Sequence, residues 1–247
     1  MNLTELPDWE HPAQGVARLR LPGWDCSAGL VRGEGAALLV DPGASTAQGA
    51  ALRAAAGRLI GGTGHVTHLA FTHPHFDHVL GAPAFTESGP AVTTCAAAGA
   101  QSLLGTESGR AELYEDAVRH GLDAAEARRA TALLRAPDLA VSDAYPLDLG
   151  GGRRVLLANL GAGHSGHDLV LVVPGERTVV FCGDLVEESG EPQAGPDAAP
   201  ARWPGALDRL LALGGEEAVY VPGHGGLVDA AFVRRQRAAL ARRFGVS

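Results

Sequence analysis

Four side chains able to bind a metal ion fall within six residues of this chain, in His73-Pro74-His75-Phe76-Asp77-His78. Imidazole nitrogen suits first-row ions such as zinc and iron, and carboxylate adds a hard, charged oxygen. His73 and His75 are two apart, so in an extended or turning segment their rings can point the same way. Asp77 and His78 need the chain to change direction and face a second point in space. The pattern suits two neighbouring ions better than one. Its plain alternative is a His-rich surface loop.

The donors do not stop there. His164 stands in Gly161-Ala-Gly-His164-Ser-Gly-His167-Asp168, Asp184 follows Gly183, and His224 stands in Pro222-Gly-His224-Gly225. Each is flanked by Gly or follows a strand end, and glycine lets a backbone turn sharply and approach closely. Seven donors make one six-coordinate cage or two smaller sites.

The 247 residues, 46% hydrophobic and 19% charged, fit a globular α/β protein with ample core. The reading is a single domain over 1–247. The net charge of −8 opposes binding to phosphate backbones. Lysine is absent, and the arginine run from Arg234 to Arg243 keeps a helical period, which reads as a solvated face rather than a nucleic-acid surface. Cys26, Cys95 and Cys182 make no even disulfide set and lack zinc-site spacing, so they read as small buried residues in a reducing compartment. The N-terminal stretch lacks a basic region followed by an apolar run, and nothing has the length of a membrane span. A cytoplasmic protein is expected, with a small-molecule substrate and neither nucleic acid nor membrane as partner.

Along the chain, alternation predicts a strand over 16–21, then a hairpin of 28–31 and 36–40. Asp41-Pro42-Gly43 ends it, and Asp41 reads as a cap or as support for the metal site. A helix is expected over 47–59. The strand 66–71 delivers the His motif at its carboxyl end, where ligands gather in α/β sheets. A helix over 79–85 should break at Pro83, followed by a strand over 91–95 and a short helix over 96–104. Residues 107–135 read as two helices separated by Gly121, a helical insertion at about 106–136 that either packs over the site or lies remote from it. Strands follow at 139–142, 144–149, 153–160, 169–173 and 178–182. Residues 187–200, rich in Pro and Gly, read as a mobile loop. A helix at 203–213, a strand at 218–221 and a helix at 229–243 complete the chain. Two face-to-face sheets, each covered by helices, would bury these strands.

These motifs in this order resemble the metallo-β-lactamase-fold hydrolase superfamily, whose hallmark is His-x-His-x-Asp-His followed by separate His, Asp and His positions. The resemblance extends from about Val16 to the last helix. It implies an αββα sandwich of two mixed β-sheets flanked by helices. It implies that His73, His75 and His164 bind one metal and that Asp77, His78 and His224 bind a second. Asp184 and a hydroxide would bridge the two, and Asp41 would be a structural acid beside them. The ions would be two divalent cations, zinc first, with iron or manganese as alternatives. Asp77 would also orient the hydroxide or take a proton. The chain departs from many members after the middle ligand, where His164-Ser-Gly-His167 is shorter by one residue. It resembles there a subgroup with His-Thr-Asp-x-Asp-Leu followed by Gly-Asp-Leu-Val-Glu. His164 is the better ligand because of its Gly-rich approach, and His167 a neighbour of the site.

The implied activity is hydrolysis of a small ester, lactone, thioester or amide by a metal-bridging hydroxide. Asp184 argues against β-lactams, because the β-lactamases of the family generally lack an aspartate there. The other readings are an iron-dependent oxidoreductase on the same fold, or a metal-binding protein without turnover.

Overall fold

A computed structural model describes residues 2–87 and 89–246. The elements run β1 (Glu10–Ala13), β2 (Val16–Arg20), β3 (Ser27–Arg32), β4 (Ala37–Val40), α1 (Thr46–Ile60), β5 (His68–Ala70), α2 (Phe76–Val79), α3 (Pro83–Thr86), β6 (Thr93–Ala97), α4 (Gln101–Leu104), α5 (Glu107–Arg119) and α6 (Ala124–Leu133). The second half adds β7 (Leu139–Val141), β8 (Ala144–Asp148), β9 (Arg154–Asn159), β10 (Leu169–Val173), β11 (Val179–Glu187), α7 (Trp203–Gly214), β12 (Val219–His224) and α8 (Ala230–Phe244).

Two mixed sheets result. The first has the order β1-β2-β3-β4-β5-β6-β7, antiparallel up to β4 and parallel from β4 to β7. The second has the order β12-β11-β10-β9-β8, antiparallel except for the parallel pair β11 and β12. Period-two alternation sorts their side chains into three cores. Val31, Leu38 and Val40 of the first sheet meet Leu169, Leu171 and Phe181 of the second between the sheets. Leu30 and Leu39, on the opposite face, pack with Leu52 of α1 and Leu113 of α5. Val170, Val172 and Val180 pack with Trp203, Leu207 and Leu210 of α7 and Val233 and Leu240 of α8. The layers are helix, sheet, sheet, helix, the αββα sandwich expected. Strands with apolar partners on both faces need near-continuous apolar runs, which β4 and β10 have.

Several local readings need correction. β1 carries no strand signal, because Glu-His-Pro-Ala is polar and contains a proline, but it lies at a sheet edge, where proline is tolerated. The expected break at Pro83 is a start: Pro83 occupies the first turn of α3, where its missing N–H costs nothing. The expected helix over 96–104 gives its first residues to β6, which runs on to Ala97 beside β7. β11 does not end at Cys182 but continues to Glu187, so Asp184 lies inside a strand. Among the described residues, no helix is long and apolar enough to cross a membrane.

Strand direction explains where the site lies. β4 and β5 are parallel, so Asp41 and the Thr72–His78 turn leave at the same end. β9 and β11 both run antiparallel to β10, and β12 runs parallel to β11, so the carboxyl ends of all three also coincide. An isolated bridge between Cys26 and His224 ties the start of β3 to the end of β12 and closes the two sheets together there.

Candidate metal centre

The seven donors singled out in the sequence converge at this closed end. His73, His75 and His164 form one group whose ring nitrogens lie within 4.8 Å of one another. His75 Nδ1 is 3.0 Å from His164 Nε2. Asp77, His78 and His224 form a second group at the same spacing. His78 Nε2 lies 3.4 Å from His224 Nε2, and Asp77 Oδ2 lies 3.5 Å from His224 Nε2. Asp184 stands between them. Its Oδ2 is 3.8 Å from His73 Nε2 and 3.5 Å from His164 Nε2 on one side, and 3.2 Å from His224 Nε2 on the other. Its Oδ1 is 3.2 Å from His78 Nε2.

The backbone makes room for this carboxylate. Pairing between β11 and β12 slips on either side of Gly183, a bulge of the kind that re-aims a side chain. Gly183 has φ +53°, and a Cβ there would come within 2.7 Å of Thr72 Oγ1. At Gly223 a Cβ would stand 1.8 Å from Asp184 Oδ1, so only glycine lets β12 pass.

Each imidazole is fixed from behind. Asp41, itself in the left-handed region at φ +52°, accepts from Thr72 N at 2.8 Å and Thr72 Oγ1 at 2.7 Å. Its Oδ2 lies 2.9 Å from His78 Nδ1, which leaves His78 Nε2 facing the centre. His224 Nδ1 donates to the Trp24 carbonyl at 2.7 Å, and His164 Nδ1 to the Gln193 carbonyl at 3.0 Å. His75 Nε2 is 2.9 Å from Asp197 Oδ2, leaving Nδ1 as its inward atom. Arg18, fully buried on β2, reaches Ser27 and Glu10 and donates to the Gly225 carbonyl, which holds the turn after His224.

So dense a set of ionisable groups shifts its own equilibria. Burial pushes His73 well below the usual imidazole range, and burial takes His164 down to about 4. Burial also opposes charge on His78 and His224, but Asp184 in both cases, with Asp77 for His78, outweighs it and raises them. Burial likewise opposes ionisation of Asp184, yet His224, His78 and His73 hold it well below the carboxylate range. Among the described residues, two buried side-chain atoms, His73 Nε2 and Asp184 Oδ1, have no hydrogen-bond partner. Each such orphan costs about 1–3 kcal/mol, so a native chain keeps one only for a reason. Both point at the space between the donors, where cations would satisfy them. The set of five imidazoles and two carboxylates fits zinc-type ions.

His167 lies outside both groups, with Nδ1 3.2 Å from the Ala98 carbonyl and its ring against Gly99. Three residues the sequence did not mark belong to the surroundings. Asp197 lies in the stretch expected to be a mobile loop, which in fact supplies backing for His75 and, through Gln193, for His164. Glu187 sits with Asp184 and His224. Cys26, expected to be a packing residue, places Sγ 3.2 Å from Asp77 Oδ2.

A cavity of about 850 Å³ opens onto the donors. Trp24 and Phe76, edge to face at 5.3 Å, form one wall, and His120 stacks on Phe76. Helix α5 lines the mouth through Leu113, Asp116 and Arg119, so the helical segment borders the site rather than lying remote from it.

The family model of the Metallo-beta-lactamase superfamily matches residues 21–224, from Leu21, just after β2, to His224. Solved structures share the fold at low identity. A metallo-beta-lactamase from Pontibacter korlensis superposes with a TM-score of 0.71 at 19% identity, covering 96% of this chain and 99% of that one. FIM-1 from Pseudomonas aeruginosa, in its mono-zinc form, gives 0.69 at 20% identity, covering 97% and 96%. VMB-1 gives 0.72 at 18% identity, covering 97% and 98%. No curated protein matches the chain in sequence.

Proposed function

The chain belongs to the metallo-beta-lactamase superfamily, and from that premise we propose that it is a metal-dependent hydrolase with two divalent ions, zinc by preference, acting on a small ester, lactone, thioester or amide. The observation that carries the reading is the position of Asp184, within 3.8 Å of His73 and His164 on one side and of His78 and His224 on the other. A carboxylate placed so suits a shared ligand. His73, His75 and His164 would hold one ion, and Asp77, His78 and His224 the other. When bound, such a pair supplies Lewis acidity and lowers the pKa of water to near neutrality.

The chain's own groups supply the rest. Asp77 lines the cavity, where its carboxylate can orient water and accept a proton. Trp24 and Phe76 exclude solvent and offer an apolar wall to the acyl part of a substrate. Charge narrows the substrate further. Besides Asp77 and Asp184, the carboxylates of Glu112, Glu115, Asp116, Glu187, Glu191 and Asp197 line the cavity, while Arg119, the one guanidinium lining it among the described residues, is hydrogen-bonded to Asp116 at 3.1 Å. Six carboxylates against one occupied cation disfavour anionic substrates and favour neutral ones. The cavity and helical segment 106–136 are read as parts of one domain.

The test is a panel of neutral and anionic p-nitrophenyl esters, lactones and phosphodiesters, run with and without chelator alongside metal analysis. Chelator-sensitive turnover of neutral esters or lactones, with two zinc ions per chain, supports the reading. Silence on every substrate with two ions bound would replace it with a metal-binding protein without turnover. Stoichiometric iron with visible absorbance would replace it with redox chemistry.

A further inference from the structure

Cys95 and Cys182 behave as buried cysteines usually do: the first packs between the sheets, and the second donates to the Val180 carbonyl within its own strand. Cys26 does neither. Its thiol is buried against a carboxylate, 3.2 Å from Asp77 Oδ2. The donor atoms of Cys26, Asp77, His78 and His224 all lie within 4.8 Å of one another. Backbone pairing produces this. The bridge between Cys26 and His224, with the Trp24 carbonyl accepting from His224 Nδ1, sets thiol and imidazole side by side, facing one point.

The spacings suit coordination. With bonds of about 2.3 Å to sulfur and about 2.0–2.1 Å to nitrogen or oxygen, tetrahedral donors stand roughly 3.3–3.6 Å apart. His78 to His224 is 3.4 Å and His224 to Asp77 is 3.5 Å, within that range, while Asp77 to Cys26 at 3.2 Å and Asp77 to His78 at 3.8 Å need shifts of a few tenths of an ångström. A second feature points to a ligand at the same place. Asp184 Oδ1, buried and without a hydrogen-bond partner, lies 3.2 Å from His78 Nε2 of this group.

We propose that Cys26 is a thiolate ligand of the ion held by Asp77, His78 and His224. The inference rests on the two-ion reading above. On binding, the S–H bond gives its proton to solvent and the sulfur lone pair bonds the cation, so charge and protons balance. A thiolate makes this the softer of the two sites, favouring zinc over manganese or magnesium.

The test is X-ray absorption of the zinc-loaded protein, wild type and C26S, with zinc counted per chain. The expected wild-type result is two zinc ions and a zinc–sulfur scattering path at about 2.3 Å. In C26S that path should vanish, and affinity for one of the two ions should fall tenfold or more while the other is unchanged. The sulfur path decides the inference, and the ion count decides the reading beneath it. Two ions without a sulfur path in the wild type overturn the thiolate ligand alone, as does a path that persists in C26S. Fewer than two ions without sulfur overturn both. Cobalt gives an independent readout: a near-ultraviolet sulfur-to-metal band in the wild type, absent in C26S, is expected.

Discussion

The two halves of the donor cluster are held in place by different kinds of structure. The histidines of the Asp77 side lean on the sandwich itself: His78 on buried Asp41, and His224 on the Trp24 carbonyl beside the start of β3. Two of the three histidines on the other side lean on an irregular segment. His164 is backed by the Gln193 carbonyl and His75 by the half-exposed Asp197. One half is therefore set by sheet packing. The other depends on how residues 187–200 lie against the site.

Asp184 joins the halves, so its removal should have the largest effect. Asp184→Ala deletes the carboxylate that faces both groups and leaves nothing from this position to join them. Hydrolysis should fall to background and at least one of two ions should be lost, read by metal analysis after gel filtration. Retention of both ions and activity would show that the halves are independent sites.

Asp41→Ala strikes the half set by sheet packing. It strands the Thr72 N–H and frees the His78 ring, and an unpaired buried donor costs about 1–3 kcal/mol. Loss of the carboxylate behind a ligating histidine lowers metal affinity about 10–100-fold. Urea unfolding and competition with a chelating dye measure the two effects. A fall confined to one ion of the pair would sharpen the comparison, whereas equal loss of both would mean that the halves are rigidly coupled.

Asp197→Asn strikes the other half, and more weakly, because Asp197 is half exposed and solvent screens it. Its effect on the metal-free chain should depend on pH. Burial opposes charge on both partners, but their mutual hydrogen bond outweighs it, raising His75 and lowering Asp197. Stability from a lowered carboxylate is present above its unfolded pKa and is lost as pH falls through the folded one. Stability from a raised histidine is present below its unfolded pKa and is lost as pH rises through the folded one. Both hold between about pH 4 and 6.5. The difference in Tm between wild type and D197N, without metal, should be greatest in that window and shrink above it. A difference that is flat with pH would mean that Asp197 does not pair with His75.

The smallest effect is expected at His167. It faces the Ala98 carbonyl and Gly99, outside both groups, so His167→Ala should leave the ion count unchanged. Loss of an ion would move the third ligand from His164 to His167.

The contrast between the halves also explains what the chain discloses in one dimension. The His73–His78 motif is local, and His164, Asp184 and His224 stand next to glycines, so the seven residues that converge are legible, although Asp184 lies inside β11 and not at the strand end expected. So are the layers, because β4 and β10 are apolar on both faces. Cys26 is not, since its thiol becomes a neighbour of Asp77 only when β3 meets β12. Asp197 and the Gln193 carbonyl are equally hidden, because a Pro- and Gly-rich stretch has no periodicity to say where it lies. Arg18 alternates with apolar residues as an exposed strand position would, yet it is buried through Glu10, Ser27 and Gly225, which are remote in sequence or uninformative by themselves.

Anomalous diffraction at the zinc edge from zinc-loaded crystals tests the account at its centre. Two peaks roughly 3.5–4 Å apart are expected. One should lie among His73, His75 and His164 and the other among Asp77, His78 and His224, with Asp184 between them. A single peak, or peaks away from these residues, would contradict it.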